Sequence, residues 1–130
     1  MKHLIVMVIV MLLGACATTY NLPIEERSRS YEASSESVWE AAIQSVDDAE
    51  LSLIETEKEH GRIRARSRGS VWDFKGHMLL VVVQELGSGQ VRVNANAETT
   101  SKDKVVDFGM SKRIVRDYLS ALDRRMNTRG

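Results

Sequence analysis

Residues 51–68 read Leu-Ser-Leu-Ile-Glu-Thr-Glu-Lys-Glu-His-Gly-Arg-Ile-Arg-Ala-Arg-Ser-Arg. Arg62 to Arg68 alternates strictly, with Ile63, Ala65 and Ser67 on one side and Arg62, Arg64, Arg66 and Arg68 on the other. Only an extended strand puts every second side chain on one face. Leu51 to Glu57 precedes it as another strand, led by Leu51, Leu53 and Ile54. Lys58-Glu59-His60-Gly61 joins the two, and Gly61 is able to take a positive φ there. The stretch reads as an antiparallel hairpin in which Glu55 and Glu57 come near some of the arginines.

Downstream, Gly69 to Gly76 is a loop carrying Val71, Trp72 and Phe74 among polar residues. Exposed, Val71, Trp72 and Phe74 form a docking knob or a membrane-surface anchor; buried, they cap one end of the core. Met78 to Leu86 is a strand with apolar residues on both faces as far as Val83, which suits a sheet covered on both sides, or covered on one side with the other meeting a partner. Either Leu79, Val81 and Val83 or their neighbours Leu80 and Val82 supply that contact. Gly87-Ser88-Gly89 is a hairpin loop. Gln90 to Thr99 alternates again, with Val91, Val93, Ala95 and Ala97 facing in. After the polar loop Thr100 to Lys104, Asp107 is positioned to cap a last helix from Phe108 to Asn127. Its apolar stripe is Ile114, Val115, Tyr118, Leu119, Leu122 and Met126, with the Tyr118 hydroxyl at the stripe's edge. Arg124 and Arg125 suit the negative end of its dipole.

Upstream, Arg27 to Ala33 alternates around Tyr31 as a first strand. Ser34 is the N-cap of a helix from Ser35 to Ala49 whose apolar face holds Val38, Trp39, Ala42, Ile43 and Val46. Trp39 on such a stripe is a core residue before it is a ligand-stacking one. The order is β-α-β-β-β-β-α, which predicts an α+β domain: an antiparallel sheet of about five strands with two helices on one face.

The N-terminus follows different rules. Met1-Lys2-His3 is a short basic segment, and Leu4 to Leu13 is apolar without a break. This run is shorter than the roughly 20 residues that span a bilayer, so it reads as a secretory signal. Leu13, Gly14 and Ala15 lead into Cys16, the only cysteine in the chain. These four residues resemble the lipobox of bacterial lipoproteins. The resemblance implies cleavage after Ala15 and a covalent diacylglycerol on the Cys16 sulfur. It also implies a fatty acyl group such as palmitate on the new amine. Ala17 is not the aspartate that retains such proteins in the inner membrane, so the resemblance implies the periplasmic face of the outer membrane. Alternatively, Ala15-Cys16-Ala17 is an ordinary cleavage site, and the product is soluble in the periplasm or secreted. On the lipobox reading, residues 1–15 are the signal, 16–26 the lipidated N-terminus and tether, and 27–130 a single domain.

The Ser34 to Ala42 run, S-S-E-S-V-W-E-A-A, and the Leu51 to Ala65 hairpin resemble the helix-grip domains of BamC-like outer-membrane assembly lipoproteins. The resemblance implies a helix-grip-like fold and a binding or scaffolding role in envelope assembly or maintenance. The membrane would be met through the lipid anchor, alongside an envelope protein partner. A small-ligand or lipid-binding module is the alternative, with a cavity lined by Val81, Val93, Tyr118 and Leu122 between sheet and helix.

Other chemistry has little support. Loss of Lys2 with the signal leaves one acid in excess of the bases, so nothing attracts nucleic acid generally. No H-E-x-x-H, C-x-x-C, G-x-S-x-G or phosphate-binding glycine loop occurs. Catalytic residues, a metal site and a non-covalent cofactor are not expected. Asp73, His60 and His77 lack a completing pattern, Ser88 is a hairpin tip, and Asp47-Asp48 lies on a helix surface. The arginine row is the most suggestive feature. It forms either an anion or partner site or a solvated sheet face balanced by nearby glutamates.

Overall fold

Five antiparallel strands form one sheet, and two helices cover one of its faces. The structure, a computed structural model, describes residues 23–68, 76–99 and 109–129. The lipobox residues Leu13, Gly14, Ala15 and Cys16, the loop residues Trp72, Asp73 and Phe74, and the cap Asp107 lie outside the described residues. The elements are β1 (Ser28–Glu32), α1 (Ser35–Asp48), β2 (Leu51–Glu57), β3 (Arg62–Ser67), β4 (His77–Gly87), β5 (Gln90–Thr99) and α2 (Met110–Arg129). The predicted α+β order is the observed one.

In space the strands run β1-β5-β4-β3-β2. The first and second strands in sequence are therefore the two edges, and α1 crosses the sheet between them. Ser34 opens α1 as its N-cap, its side chain accepting from the Ser37 amide at 3.1 Å. The apolar stripe then turns Val38, Trp39, Ala42 and Val46 inward. Trp39 is buried in the core. From α2, Val115, Tyr118, Leu119 and Leu122 meet the same core.

The sheet supplies Ile63 and Ala65 from β3, Leu79 and Val81 from β4, and Val91, Val93, Ala95 and Ala97 from β5. Ile63, Val81 and Ala95 stand side by side in register across three strands. Burying Ile63 or Val81 contributes about 1.5–3 kcal/mol each, and Ala95 less. Tyr118 differs from expectation. Its hydroxyl is not at the stripe's edge but fully buried, donating to the Ala42 carbonyl of α1 at 2.8 Å. That bond ties the helices together, and burial pushes the phenol above its ordinary pKa.

The second strand also departs from expectation. Only Leu51 enters the core, while Leu53 and Ile54 are 47% and 49% exposed. The register slips between Leu53 and Glu55, so Ile54 is a bulge. On an edge strand the outermost inward-facing residue has no further strand beside it, and Leu53 is left partly in water. The slip returns Glu55 and Glu57 to the arginine side, opposite Arg64 and Arg62.

Candidate functional site

The register places a different set of side chains on the face that the helices leave open. From β3 come Arg62, Arg64 and Arg66, opposite Val82, Leu80 and Met78 of β4. On the other flank of β4, β5 sets Asn94 beside Val82 and Asn96 beside Leu80. The central strand thus carries an apolar stripe between a row of arginines and a pair of asparagines. Leu79 and Val81 are buried in the core, whereas Leu80 is 37% exposed and Met78 and Val82 half-buried. Of the two alternatives for a contact surface, the open face is that of Leu80 and Val82.

The arginine row has three members, not four. β3 ends at Ser67, and Arg68 turns to Asp47 of α1 at 2.7 Å. Its guanidinium is taken by a carboxylate at the helix C-terminus, so the alternation fails at the residue where pairing stops. Arg64 lies 4.0 Å from Glu55, with both side chains about half exposed. Arg62 and Arg66 make no ion pair with any described residue. The face carries acids at its margins: Glu55 and Glu57 on β2, Glu32 on β1 and Glu98 on β5.

The chain reaches this face from Pro23. The Glu26 amide donates to the Pro23 carbonyl at 2.9 Å, and the Ala95 amide donates to the Arg27 carbonyl at 2.9 Å. This turn brings Ile24, 66% exposed, to a shallow groove of about 240 Å³ that it shares with Arg27, Leu80, Val82, Asn94 and Asn96. No pattern in the sequence marked Ile24 as part of a site, because its placement depends on where β1 joins the sheet.

A second groove, of about 330 Å³, lies between the start of α1, the turn at 58–61 and the end of β4. It brings His60 together with Glu36, Glu59 and Glu85, over Trp39. Lys58 bonds Glu36 at 3.0 Å, and these acids and His60 are exposed. His77 is buried at the opposite end of β4, its amide bonded to Ser67 Oγ at 2.9 Å. Six residues of strand separate it from this groove, about 20 Å, so the two histidines share no site. Among the described residues no three metal-ligating side chains cluster. Val81, Val93, Tyr118 and Leu122 are packed into the core, and none of them lines either groove. Ser88 sits at the hairpin tip with φ +56°.

Asp47 and Asp48 form the other charged cluster, and both have partners. Arg125 of α2 holds Asp48 with two hydrogen bonds, from Nη2 at 2.8 Å and from Nε, and reaches Gln44 at 3.1 Å. The bond from Arg125 keeps the Asp48 carboxyl below its ordinary pKa of 3.8. At the far edge, Arg29 Nε donates to Asp123 at 3.0 Å and Tyr31 donates to the same carboxylate at 2.6 Å. Burial, then the bond to Asp123, pushes the Tyr31 phenol above its ordinary value. These clusters fasten helices to each other and to the sheet.

No family model and no curated protein matches the chain. Among solved structures it is similar to TTHA0849 from Thermus thermophilus. The identity is 16% and the TM-score 0.41, over 79% of this chain and 96% of that one.

Proposed function

We propose that this protein is an envelope lipoprotein, acylated at Cys16 and held at the periplasmic face of the outer membrane. It works without catalysis, as a binding or scaffolding subunit, through the sheet face that no helix covers. The observation that supports this reading most is the central strand. Met78, Leu80 and Val82 of β4 place apolar side chains on the open face, beside Arg62 and Arg66. The wet face of an antiparallel sheet normally carries polar residues along its middle strand. Apolar area kept there, rimmed by charge, suits a surface that is covered in use.

Two measurements test the reading. Labelling with a radioactive fatty acid is expected to mark the wild type and not Cys16→Ser; no label on the wild type defeats the anchor. A photo-crosslinking residue at position 80 is expected to give a discrete adduct in cells, and one at the exposed helix position Ser120 is not. Equal or absent adducts at the two positions defeat the assignment of the working face.

A further inference from the structure

We infer that the open sheet face lies against the membrane itself, with Arg62, Arg64 and Arg66 on anionic lipid headgroups and the helical layer turned away. This rests on the lipid anchor proposed above and takes the binding branch of that reading, with lipid and not a protein subunit as what the working face meets. The length of chain between Cys16 and Pro23 carries the inference. Seven residue steps reach at most about 25 Å when fully extended. The described chain begins on the open face, where Ile24 shares a groove with Leu80 and Val82. With that face down, the tether needs no slack. With the helices down, it must first pass the edge of the sheet, about 10 Å away by strand spacing. It must then descend past a helix layer about 10–12 Å thick. That route consumes nearly the whole tether, so the anchor itself favours the first orientation.

The chemistry of the face agrees. Guanidinium groups match phosphate oxygens in pairs, and they tolerate partial dehydration better than ammonium groups. Arg62 and Arg66 have no carboxylate holding them among the described residues. Leu80, Val82 and Ile24 put apolar area between the arginines and the point where the chain enters. Of the acids on this face, Glu32 and Glu98 stand towards its corners, which the twist of a sheet lifts away from a plane. Glu55 and Glu57 lie on the edge strand opposite Arg64 and Arg62, and Glu55 is 4.0 Å from Arg64, a half-exposed contact that a phosphate oxygen can replace.

The test uses the full acylated chain in vesicles. With Cys16 acylated, an introduced cysteine is the single free thiol, since the chain has one cysteine. Nitroxide labels at Leu80→Cys and Asn96→Cys are compared with one at Ser120→Cys, using a headgroup-bound nickel chelate as relaxant. In vesicles of phosphatidylcholine with about 30% phosphatidylglycerol, the labels at 80 and 96 are expected to relax strongly and the label at 120 weakly. Replacing Arg62, Arg64 and Arg66 by glutamine, or removing the anionic lipid, is expected to lower the docked fraction. Each arginine is worth about fivefold in the docked-to-free ratio. Circular dichroism checks that the variants remain folded. Equal relaxation at 80 and 120 in an acylated protein overturns the orientation and leaves the anchor standing. A cellular crosslink from position 80 to one protein and not to lipid also overturns it, and supports the scaffolding reading. An unmodified Cys16 by mass spectrometry overturns both.

Discussion

Gly61 shows how one residue couples a turn to the sheet. Its φ is +66°, and a Cβ added there would stand 2.1 Å from the Val83 carbonyl oxygen. Its own carbonyl accepts from the Val83 amide at 2.7 Å, so neither backbone can retreat without breaking that bond. Left-handed backbone alone costs a non-glycine residue about 1–2 kcal/mol. Gly61→Ala is expected to lower stability by about 2 kcal/mol or more in urea denaturation. A loss under about 1 kcal/mol would mean that the turn relaxes away from β4. Glu50 is the opposite case. It follows α1 with φ +60°, and its amide caps the helix by donating to the Asp47 carbonyl at 2.9 Å. Glycine is the usual residue in that conformation. Glu50→Gly is expected to raise stability by about 0.5–1 kcal/mol. The need for glycine at 61 was legible from the turn composition. The strain at 50 was not, because glutamate is a good helix former and gives no sign of where its helix stops.

At the scale of elements, α1 ends on Asp47 and Asp48, where the helix dipole disfavours negative charge. Arg68 from the end of β3 and Arg125 from α2 answer those charges. Local pattern placed both arginines elsewhere, one in a sheet row and one on its own helix's dipole. The helix–helix angle and the end of β3 decide their actual partners. The Asp48 carboxyl has a lowered pKa in the folded state, so its contribution is present above its unfolded value near 3.8. It is lost as pH falls through the lower folded value. Asp48→Asn is expected to be less stable than wild type at pH 7, with the gap closing as the pH is taken from about 5 to 2. The gap should also shrink in high salt, because the pair is partly exposed. Parallel denaturation curves across that pH range would show that the pair contributes nothing. The bulge at Ile54 belongs to this scale too. The sequence reads Leu51, Leu53 and Ile54 as the leading residues of one strand and has no mark of the bulge, which leaves Leu53 and Ile54 half in water.

For the whole molecule, the two faces of the sheet make opposite demands on neighbouring residues. Leu79 faces both helices and is 1% exposed, whereas Leu80 faces out. Leu79→Ala is expected to cost about 2–5 kcal/mol. Leu80→Thr keeps a strand-forming residue and is expected to change stability by about 1 kcal/mol or less. Equilibrium urea unfolding of both variants checks this. Similar losses at the two positions would show that something covers the open face. A small effect at 80, together with loss of binding there, is the combination that a working surface produces.

Periodicity by itself determined the elements and, for β3, β5 and α1, their sides. Alternation in Arg62–Ser67 and Gln90–Thr99 marked half-buried strands, and a stripe of Val38, Trp39, Ala42 and Val46 marked a helix lying on a core. The order of those elements was enough for an α+β fold with two helices on one face, since an antiparallel sheet and two amphipathic helices have few other ways to bury their apolar sides. Only the tertiary structure decided that β1 pairs with β5, which is about sixty residues away and carries no local mark of its partner. That pairing puts Ile24 and the end of the tether on the open face. Side-chain pairing across the fold also reduced the arginine row to three by giving Arg68 to Asp47. A chain's period reports which face a residue takes, but a contact between distant segments depends on where every intervening element ends.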